Sequence, residues 1–334
     1  MKMLRLLSVA AVACAVGCAP LIKPAGPPID RPQVEGDYVR ARDGALLPLR
    51  KWLPAGEPKA VVLGVHGFND YSFAFEEPGK FLAARGIAVY AYDQRGFGQA
   101  PERGYWAGEA TLVDDLEDVA AAVARRHPGR PLYLLGESMG GALVMVTMIR
   151  PDAPTVAGVV LAAPAVWDRS SMNIFERGAL WLLSHTTPWL TVTGRSLNIM
   201  PSDNIEMLKQ LSRDPLVIKE TRVDAIHGLC DLMDDAAAAA PRLEVPALVL
   251  YGEHDEVVPA EPTYRMMASL PRSAVPQVVA VYAHGYHMLL RDLDANLVMT
   301  DIAAWIADPN QSLPSGADQR ALSVLKQQDL ESAG

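Results

Sequence analysis

The sequence contains 334 residues, of which 50% are apolar and 21% are charged, a composition typical of folded domains and not of disordered chains. A net charge of −9 argues against the basic surface that non-specific nucleic-acid binding requires, so no nucleic-acid partner is expected. The three cysteines are too few for a disulfide scaffold and lack zinc-site spacing, so we expect no metal and no other cofactor. The composition does not indicate an oligomeric state.

Residues 1–17 have the pattern of a secretory signal. Two basic residues precede an apolar run, 6–17, that is too short to span a membrane. The sequence AVGC at 15–18 resembles the lipobox of bacterial lipoproteins, which implies cleavage before Cys18 and lipid attachment to its thiol. Ala19 favours the outer membrane in a source that has two membranes. The alternative is an ordinary secretory signal with an incidental cysteine.

The segment that follows the cysteine is rich in proline. Five prolines within residues 19–35 favour an extended conformation, which predicts a lipidated tether over 18–35. A loop packed on the domain is the alternative. At the other end, the polar composition of 309–334 predicts a loosely held tail, so the folded domain is expected to span 36–308.

Eight β-type runs occur in this domain, and most are separated by helix-length segments. The alternation predicts an α/β fold with an eight-stranded, mostly parallel sheet and helices on both faces. The clearest amphipathic helix is 112–126, which we assign to the scaffold. The predicted strands are 38–42, 46–52, 60–65, 87–92, 132–135, 156–163, 247–251 and 278–282.

The alternation stops between Pro164 and about Pro241, which predicts an inserted helical cap. Within it, the apolar segment 178–192 carries Trp181 and Trp189 and is suited to line a lipid tunnel or to contact a membrane surface. Packing of these tryptophans onto the core is the alternative. Three other chemically versatile residues of the cap are predicted to be packing or surface groups, namely His185, His227 and Cys230.

A candidate nucleophile lies between a predicted strand and a predicted helix. The pattern Gly136-x-Ser138-x-Gly140 follows the apolar run 132–135 and leads into helix-forming residues. A sharp strand-to-helix turn of this kind exposes a serine hydroxyl, with glycines where strand and helix approach each other. The alternative is a glycine-rich turn with an idle serine.

A serine nucleophile needs a histidine base oriented by a carboxylate. Asp255 follows the predicted strand 247–251, at the edge where α/β sheets place their sites, and is preferred to its neighbours Glu253 and Glu256. The next strand leads to two histidines, His284 and His287, either of which satisfies the spacing. The chain order Ser, Asp, His is that of α/β-hydrolases.

The turn after the predicted strand 60–65 also resembles that family. In α/β-hydrolases a His-Gly pair shapes this turn, and the next residue donates a backbone amide to the oxyanion. The resemblance assigns the two amides to Phe68 and Met139 and makes His66 structural. A general-base role for His66 is the alternative.

With these residues placed, the chain resembles the monoacylglycerol lipases and related lysophospholipases of the serine aminopeptidase-like group. The matching stretches are HGF at 66–68, DQRGFG at 93–98, GESMGG at 136–141, SRDPL at 212–216 and YH at 286–287. The YH match at 286–287 selects His287 rather than His284 as the base. Glu137 departs from the pattern, because many of these lipases have histidine at that position.

The resemblance implies a membrane-anchored serine hydrolase of the bacterial envelope. Its substrate would be an acyl-ester lipid, a monoacylglycerol or a lysophospholipid, cleaved through an acyl-enzyme at Ser138, with His287 as base and Asp255 orienting it. Membrane attachment would be through lipid on Cys18. Acyl transfer, peptide or amide hydrolysis by the same triad, and a non-catalytic envelope-binding lipoprotein remain as alternatives.

Overall fold

The computed structural model describes residues 19–194, 199–272 and 275–332, so the predicted signal and Cys18 lie outside the described residues. A nine-stranded sheet forms the centre of the described chain. Its strands are β1 (Gln33–Glu35), β2 (Tyr38–Arg40), β3 (Leu46–Trp52), β4 (Ala60–Val65), β5 (Ile87–Tyr92), β6 (Leu132–Glu137), β7 (Gly158–Ala162), β10 (Ala247–Gly252) and β11 (Gln277–Tyr282). A two-stranded ladder, β8 (Thr191–Val192) with β9 (Thr221–Arg222), lies apart from it.

The sheet runs in the order β1-β2-β3-β5-β4-β6-β7-β10-β11. From β5 to β11 every neighbouring pair is parallel, whereas the pairs from β1 to β5 are antiparallel. Strands β4 to β7 are buried along their whole length, as expected for strands covered on both faces. The predicted mostly parallel sheet is confirmed, but it has nine strands rather than eight because β1 forms in the segment predicted as a tether.

Helices cover both faces of this sheet, each with its own apolar cluster. The helices are α1 (Glu76–Ala83), α2 (Glu109–Arg126), α3 (Met139–Met148), α4 (Ile174–Thr186), α5 (Ile205–Arg213), α6 (Val223–Ala239), α7 (Ala260–Ser269), α8 (Ala295–Ala307) and α9 (Ala317–Ser332). Buried side chains of α2, α3 and α6 lie in one cluster, and those of α1 and α8 lie in the other. The predicted scaffold helix corresponds to α2.

The region predicted as a cap contains α4, α5 and α6 together with the β8–β9 ladder. Helix α6 packs against α3, which directly follows the candidate nucleophile, and α4 packs on α6. The cap therefore sits over the end of the sheet at which β6 gives way to α3.

The proline-rich segment is packed on the domain, so the prediction of a free tether does not describe it. Ile22 forms a β-bridge with Trp106, and the Ala25 N–H donates to Thr111 Oγ1 at 3.0 Å. Further along, the Ile29 N–H donates to the Arg42 carbonyl at 2.7 Å, and β1 pairs with β2. Proline favours an extended chain, but several of the remaining backbone donors find acceptors on the domain.

The predicted C-terminal tail also differs from the structure, because most of it forms α9, which packs on β11. Ala317 and Ala321 are buried, and the Ser315 N–H donates to Asp301 Oδ1 at 3.1 Å. Arg320 pairs with Glu253. The polar composition comes from the outer face of α9, whereas the small residues Ala317 and Ala321 face the domain.

Candidate active site

Ser138 occupies the sharp turn between β6 and α3. Its φ of 54° and ψ of −119° lie in a region that is strained for a residue with a side chain. A Cβ at Gly136 would lie 2.5 Å from the Gly140 carbonyl oxygen, and one at Gly140 would lie 1.9 Å from that of Val65. Close backbone contacts therefore require both glycines, and the turn has the geometry of a nucleophile elbow.

Two further predicted residues converge on this serine. His287 follows β11, and its Nε2 lies 3.0 Å from Ser138 Oγ. Its Nδ1 lies 2.8 Å from Oδ2 of Asp255, which follows β10. His287 is 6% exposed and the Asp255 side chain is fully buried. The structure thus brings the three residues into one hydrogen-bonded series, in which His287 and Asp255 are buried and Ser138 is partly exposed.

The Asp255 carboxylate is held by its own loop. The N–H groups of Val257 and Val258 donate to Oδ1 at 2.8 and 2.9 Å, which leaves Oδ2 for His287. The other candidates have different surroundings. Glu253 pairs with Arg320, Glu256 accepts the Met200 N–H at 2.7 Å, and His284 is exposed.

The predicted oxyanion amides belong to residues beside the nucleophile. A Cβ at Gly67 would lie 3.3 Å from Ser138 Cβ, so the turn that carries Phe68 packs directly on the serine. Met139 is the first residue of α3, and its N–H has no acceptor within the helix. Two N–H groups in these positions can stabilise the negative charge of a tetrahedral intermediate.

His66 holds the turn, in agreement with its predicted structural role. Its ring is buried, Nδ1 lies 2.8 Å from the Gly67 carbonyl oxygen, and Nε2 accepts the Gln94 N–H at 3.0 Å. Burial lowers the pKa of His66. Because both nitrogens are occupied by backbone groups, this histidine is not available to deprotonate Ser138.

A second charged group borders the site, and sequence reasoning recognised only one of its members. Oε2 of Glu137, the residue that departs from the family pattern, lies 3.0 Å from Nη2 of Arg291. Nη1 of the same arginine lies 2.7 Å from Oδ2 of Asp70. All three side chains are nearly buried. Burial raises the pKa of Glu137, and the charge of Arg291 opposes that rise. The sequence did contain one signal for this charged group, namely a glutamate at the end of a predicted buried strand. A buried carboxylate requires a nearby cation.

A cavity of about 600 Å³ opens beside Ser138 and His287. The Glu137, Arg291 and Asp70 side chains contribute to its lining. The cap and the adjoining loop provide most of its apolar wall, through Trp167, Met172, Leu180, Ile226, Leu229 and Met233. Such a volume and lining suit an acyl chain.

The remaining chemically versatile cap residues have packing partners. Cys230 is buried in the cavity wall, and burial raises the pKa of its thiol to about 11, which keeps it protonated and unreactive at neutral pH. His185 stacks on Trp181, and His227 lies 3.2 Å from Asp231. Trp181 and Trp189 themselves are 60% and 56% exposed, so packing onto the core does not account for them.

The described ranges offer neither a metal site nor a membrane-spanning helix. No group of three or more His, Cys, Asp or Glu side chains in them is arranged to hold a metal ion. None of the helices in the same ranges combines the length and apolar character needed to cross a membrane.

Comparison with known proteins identifies the family. A family model described as "Serine aminopeptidase, S33" matches residues 56–294. The chain is 30% identical to the monoglyceride lipase of Homo sapiens over 271 residues, covering 79% of this chain and 88% of that one. It is 26% identical to the monoacylglycerol lipase of Mycolicibacterium smegmatis, covering 76% and 90% of the two chains.

The solved structures agree with this result. The crystal structure of the Paleococcus ferrophilus monoacylglycerol lipase matches with a TM-score of 0.64 at 25% identity, covering 78% of this chain and 98% of that one. The chain therefore belongs to the serine aminopeptidase S33 family of α/β-hydrolases and is a serine hydrolase that acts on esters.

Proposed function

We propose that the protein hydrolyses monoacylglycerols through an acyl-enzyme on Ser138. The hydroxyl attacks the ester carbonyl while its proton passes to Nε2 of His287, and Asp255 stabilises the imidazolium through Nδ1–H. The Phe68 and Met139 N–H groups hold the oxyanion. The observation that carries the proposal is the Ser138–His287–Asp255 series opening on a large apolar cavity.

The second half of the cycle uses the same groups. Collapse of the tetrahedral intermediate breaks the ester bond, and His287 returns its proton to the departing glycerol oxygen. Water then gives a proton to His287 and attacks the acyl carbon, which releases the fatty acid and restores Ser138.

The charges beside Ser138 favour a neutral head group over a phosphate. Asp70 and Glu137 carry two negative charges against one positive charge on Arg291, so a phosphate would meet net repulsion. Monoacylglycerol is therefore preferred to lysophospholipid, and the names of the relatives support the same choice.

A matched pair of substrates tests this choice. Steady-state kinetics would compare 1-oleoylglycerol with 1-oleoyl-lysophosphatidylglycerol, which has the same acyl chain but carries a phosphate. We expect kcat/KM to be about tenfold or more higher for the neutral ester, equivalent to about 1.4 kcal/mol. Equal values, or a preference for the phosphate ester, would contradict the head-group assignment.

We also propose that Cys18 carries lipid and anchors the protein in the bacterial envelope, at the outer membrane where there is one. The AVGC pattern at 15–18 supports this proposal. Detergent phase partition of the expressed chain and mass spectrometry of its N-terminal peptide would test it. We expect a lipid-modified Cys18 in the detergent phase, and a Cys18→Ser chain without that modification.

A further inference from the structure

Trp106 lies behind the wall of the catalytic cavity. It belongs to the loop between β5 and α2 and is 4% exposed. Its indole contacts the ring of Phe68 edge to face, with the ring centroids 6.4 Å apart. Phe68 lines the cavity and carries one of the proposed oxyanion N–H groups. The indole therefore supports the part of the cavity wall that the turn after β4 provides.

The cap helix α6 rests on the same indole. A Cβ at Gly228, inside α6, would overlap Nε1, Cδ1 and Cε2 of Trp106, so the close approach requires glycine. A glycine within a helix lowers its stability relative to alanine, and close packing is a physical reason for one at this position.

Other residues of α6 form the cavity wall. They include Ile226, Leu229 and Cys230. With 3.6 residues per turn, Gly228 lies on the opposite face of the helix from these three residues. Trp106 thus supports α6 from behind, and the contact between Gly228 and the indole sets how far the helix stands from the rest of the cavity.

The N-terminal segment holds the backbone of this tryptophan. We call residues 21–26 the N-terminal strap. Ile22 forms a parallel β-bridge with Trp106, and the Lys23 N–H donates to the Trp106 carbonyl at 2.8 Å. These contacts are made by the backbone of the strap, so they fix Trp106 without depending on a particular side chain.

Both ends of the strap are attached to helices. The Leu21 N–H donates to Oδ2 of Asp224, the second residue of α6, at 3.4 Å. The Ala25 N–H donates to Oγ1 of Thr111 on α2 at 3.0 Å. The strap therefore runs from the cap to the scaffold, and its contact with Trp106 lies between these two attachment points.

We infer that Trp106 is a positioning residue for acyl-chain selectivity and that the N-terminal strap holds it in place. The strap fixes the backbone of Trp106, and the indole in turn supports Phe68 and α6, which bound the cavity. The inference rests on the proposed binding of the acyl chain in this cavity. It does not depend on the head group of the substrate or on a lipid at Cys18.

Two pairs of substitutions in the full chain test the inference, one pair on each side of Trp106. Lys23→Pro removes the N–H that donates to the Trp106 carbonyl, whereas its control, Lys23→Ala, keeps that N–H and removes only a surface pair with Glu102. Gly228→Ala places a methyl group against the indole. Its control, Gly178→Ala, adds a methyl group at an exposed position of α4.

Acyl-chain selectivity is the quantity to measure. Steady-state kinetics would give kcat/KM for p-nitrophenyl decanoate and p-nitrophenyl acetate, which share a leaving group and differ in the acyl chain. We expect the decanoate-to-acetate ratio to fall by about tenfold in Lys23→Pro and Gly228→Ala, because a displaced wall loses contacts that only the long chain makes. The two controls should keep the parent ratio.

The ratio distinguishes positioning from a general effect on folding. A smaller fraction of folded protein lowers both rates alike and leaves the ratio unchanged, so a parallel loss in Lys23→Pro and Gly228→Ala would overturn the inference. An equal fall of the ratio in Lys23→Ala would assign the effect to the lysine side chain and overturn the role of the strap. A fall in Gly228→Ala without one in Lys23→Pro would overturn that role as well.

The parent protein separates this inference from the functional proposal. A parent that prefers decanoate, with variants that keep the preference, overturns the inference and leaves the proposed function intact. A parent that does not distinguish the two esters contradicts acyl binding in the cavity, and the inference then fails together with that part of the proposal.

Discussion

Nε2 of His287 lies 3.0 Å from Oγ of Ser138, although the two residues are 149 positions apart in the chain. This contact is within the range for proton transfer between a nucleophile and its base. The strained turn at Ser138 and the buried carboxylate of Asp255 hold the two sides of the contact.

His287→Ala should abolish catalysis. Without a proton acceptor the Ser138 hydroxyl is a weak nucleophile, and we expect kcat/KM for an aryl ester to fall by about 10⁴ or more. His284→Ala, which changes an exposed histidine of the same loop, is the control and should stay near the parent value. A large loss in the control with activity retained in His287→Ala would reverse the assignment.

Asp255→Asn should lower kcat by about 10⁴, because an amide cannot stabilise the imidazolium and favours the wrong tautomer of His287. Glu253→Gln tests the neighbouring acid and removes only a partly exposed pair with Arg320. We expect little effect from it, since such pairs contribute about 0 to 1 kcal/mol. Equal losses in both variants would show that the loop, and not Asp255 itself, is required.

Arg291→Met should destabilise the fold by about 3 to 5 kcal/mol, because it leaves the buried carboxylates of Asp70 and Glu137 without a cation. Urea unfolding of the variant would measure the loss. Adding Asp70→Asn and Glu137→Gln removes the uncompensated charges and should recover much of it. A loss below about 1 kcal/mol in the single variant would show that these carboxylates do not depend on Arg291.

A pH dependence is expected where α2 meets the cap helix α6. Burial, together with a hydrogen bond and charge repulsion from Asp235, raises the pKa of Glu109 from 4.5 to about 7. The folded state therefore holds this proton more tightly than the unfolded chain does. The resulting stability is complete below pH 4.5 and is lost as the pH rises through about 7.

Glu109→Gln should flatten this dependence. The change in unfolding free energy between the two pH limits should fall by about 1 kcal/mol, well below the full linkage value because the pair is partly solvated. The control is Glu57→Gln, at a side chain that is 86% exposed. An unchanged pH profile in Glu109→Gln would show that another group causes the dependence.

The residues that the sequence alone brought forward share a position at the end of a strand. Ser138, Asp255 and His287 follow β6, β10 and β11, and parallel strands bring their carboxyl ends to one edge of a sheet. Hydrophobic runs and strand-end motifs are local patterns, so the mostly parallel sheet and the candidates Ser138 and Asp255 could be predicted without coordinates. The choice of His287 over His284 came from the resemblance to a known family.

Tertiary structure decided what local pattern does not encode. The contact of Arg291 with Glu137 joins residues 154 positions apart, and no periodicity in the sequence connects them. The proline-rich segment and the polar C-terminal segment have compositions typical of extended or loose chains. They fold onto the domain because distant residues such as Trp106 and Asp301 supply partners for their backbone groups. Only the folded chain shows those partners, because packing and hydrogen bonding depend on which surfaces meet in space and not on how close two residues are along the chain.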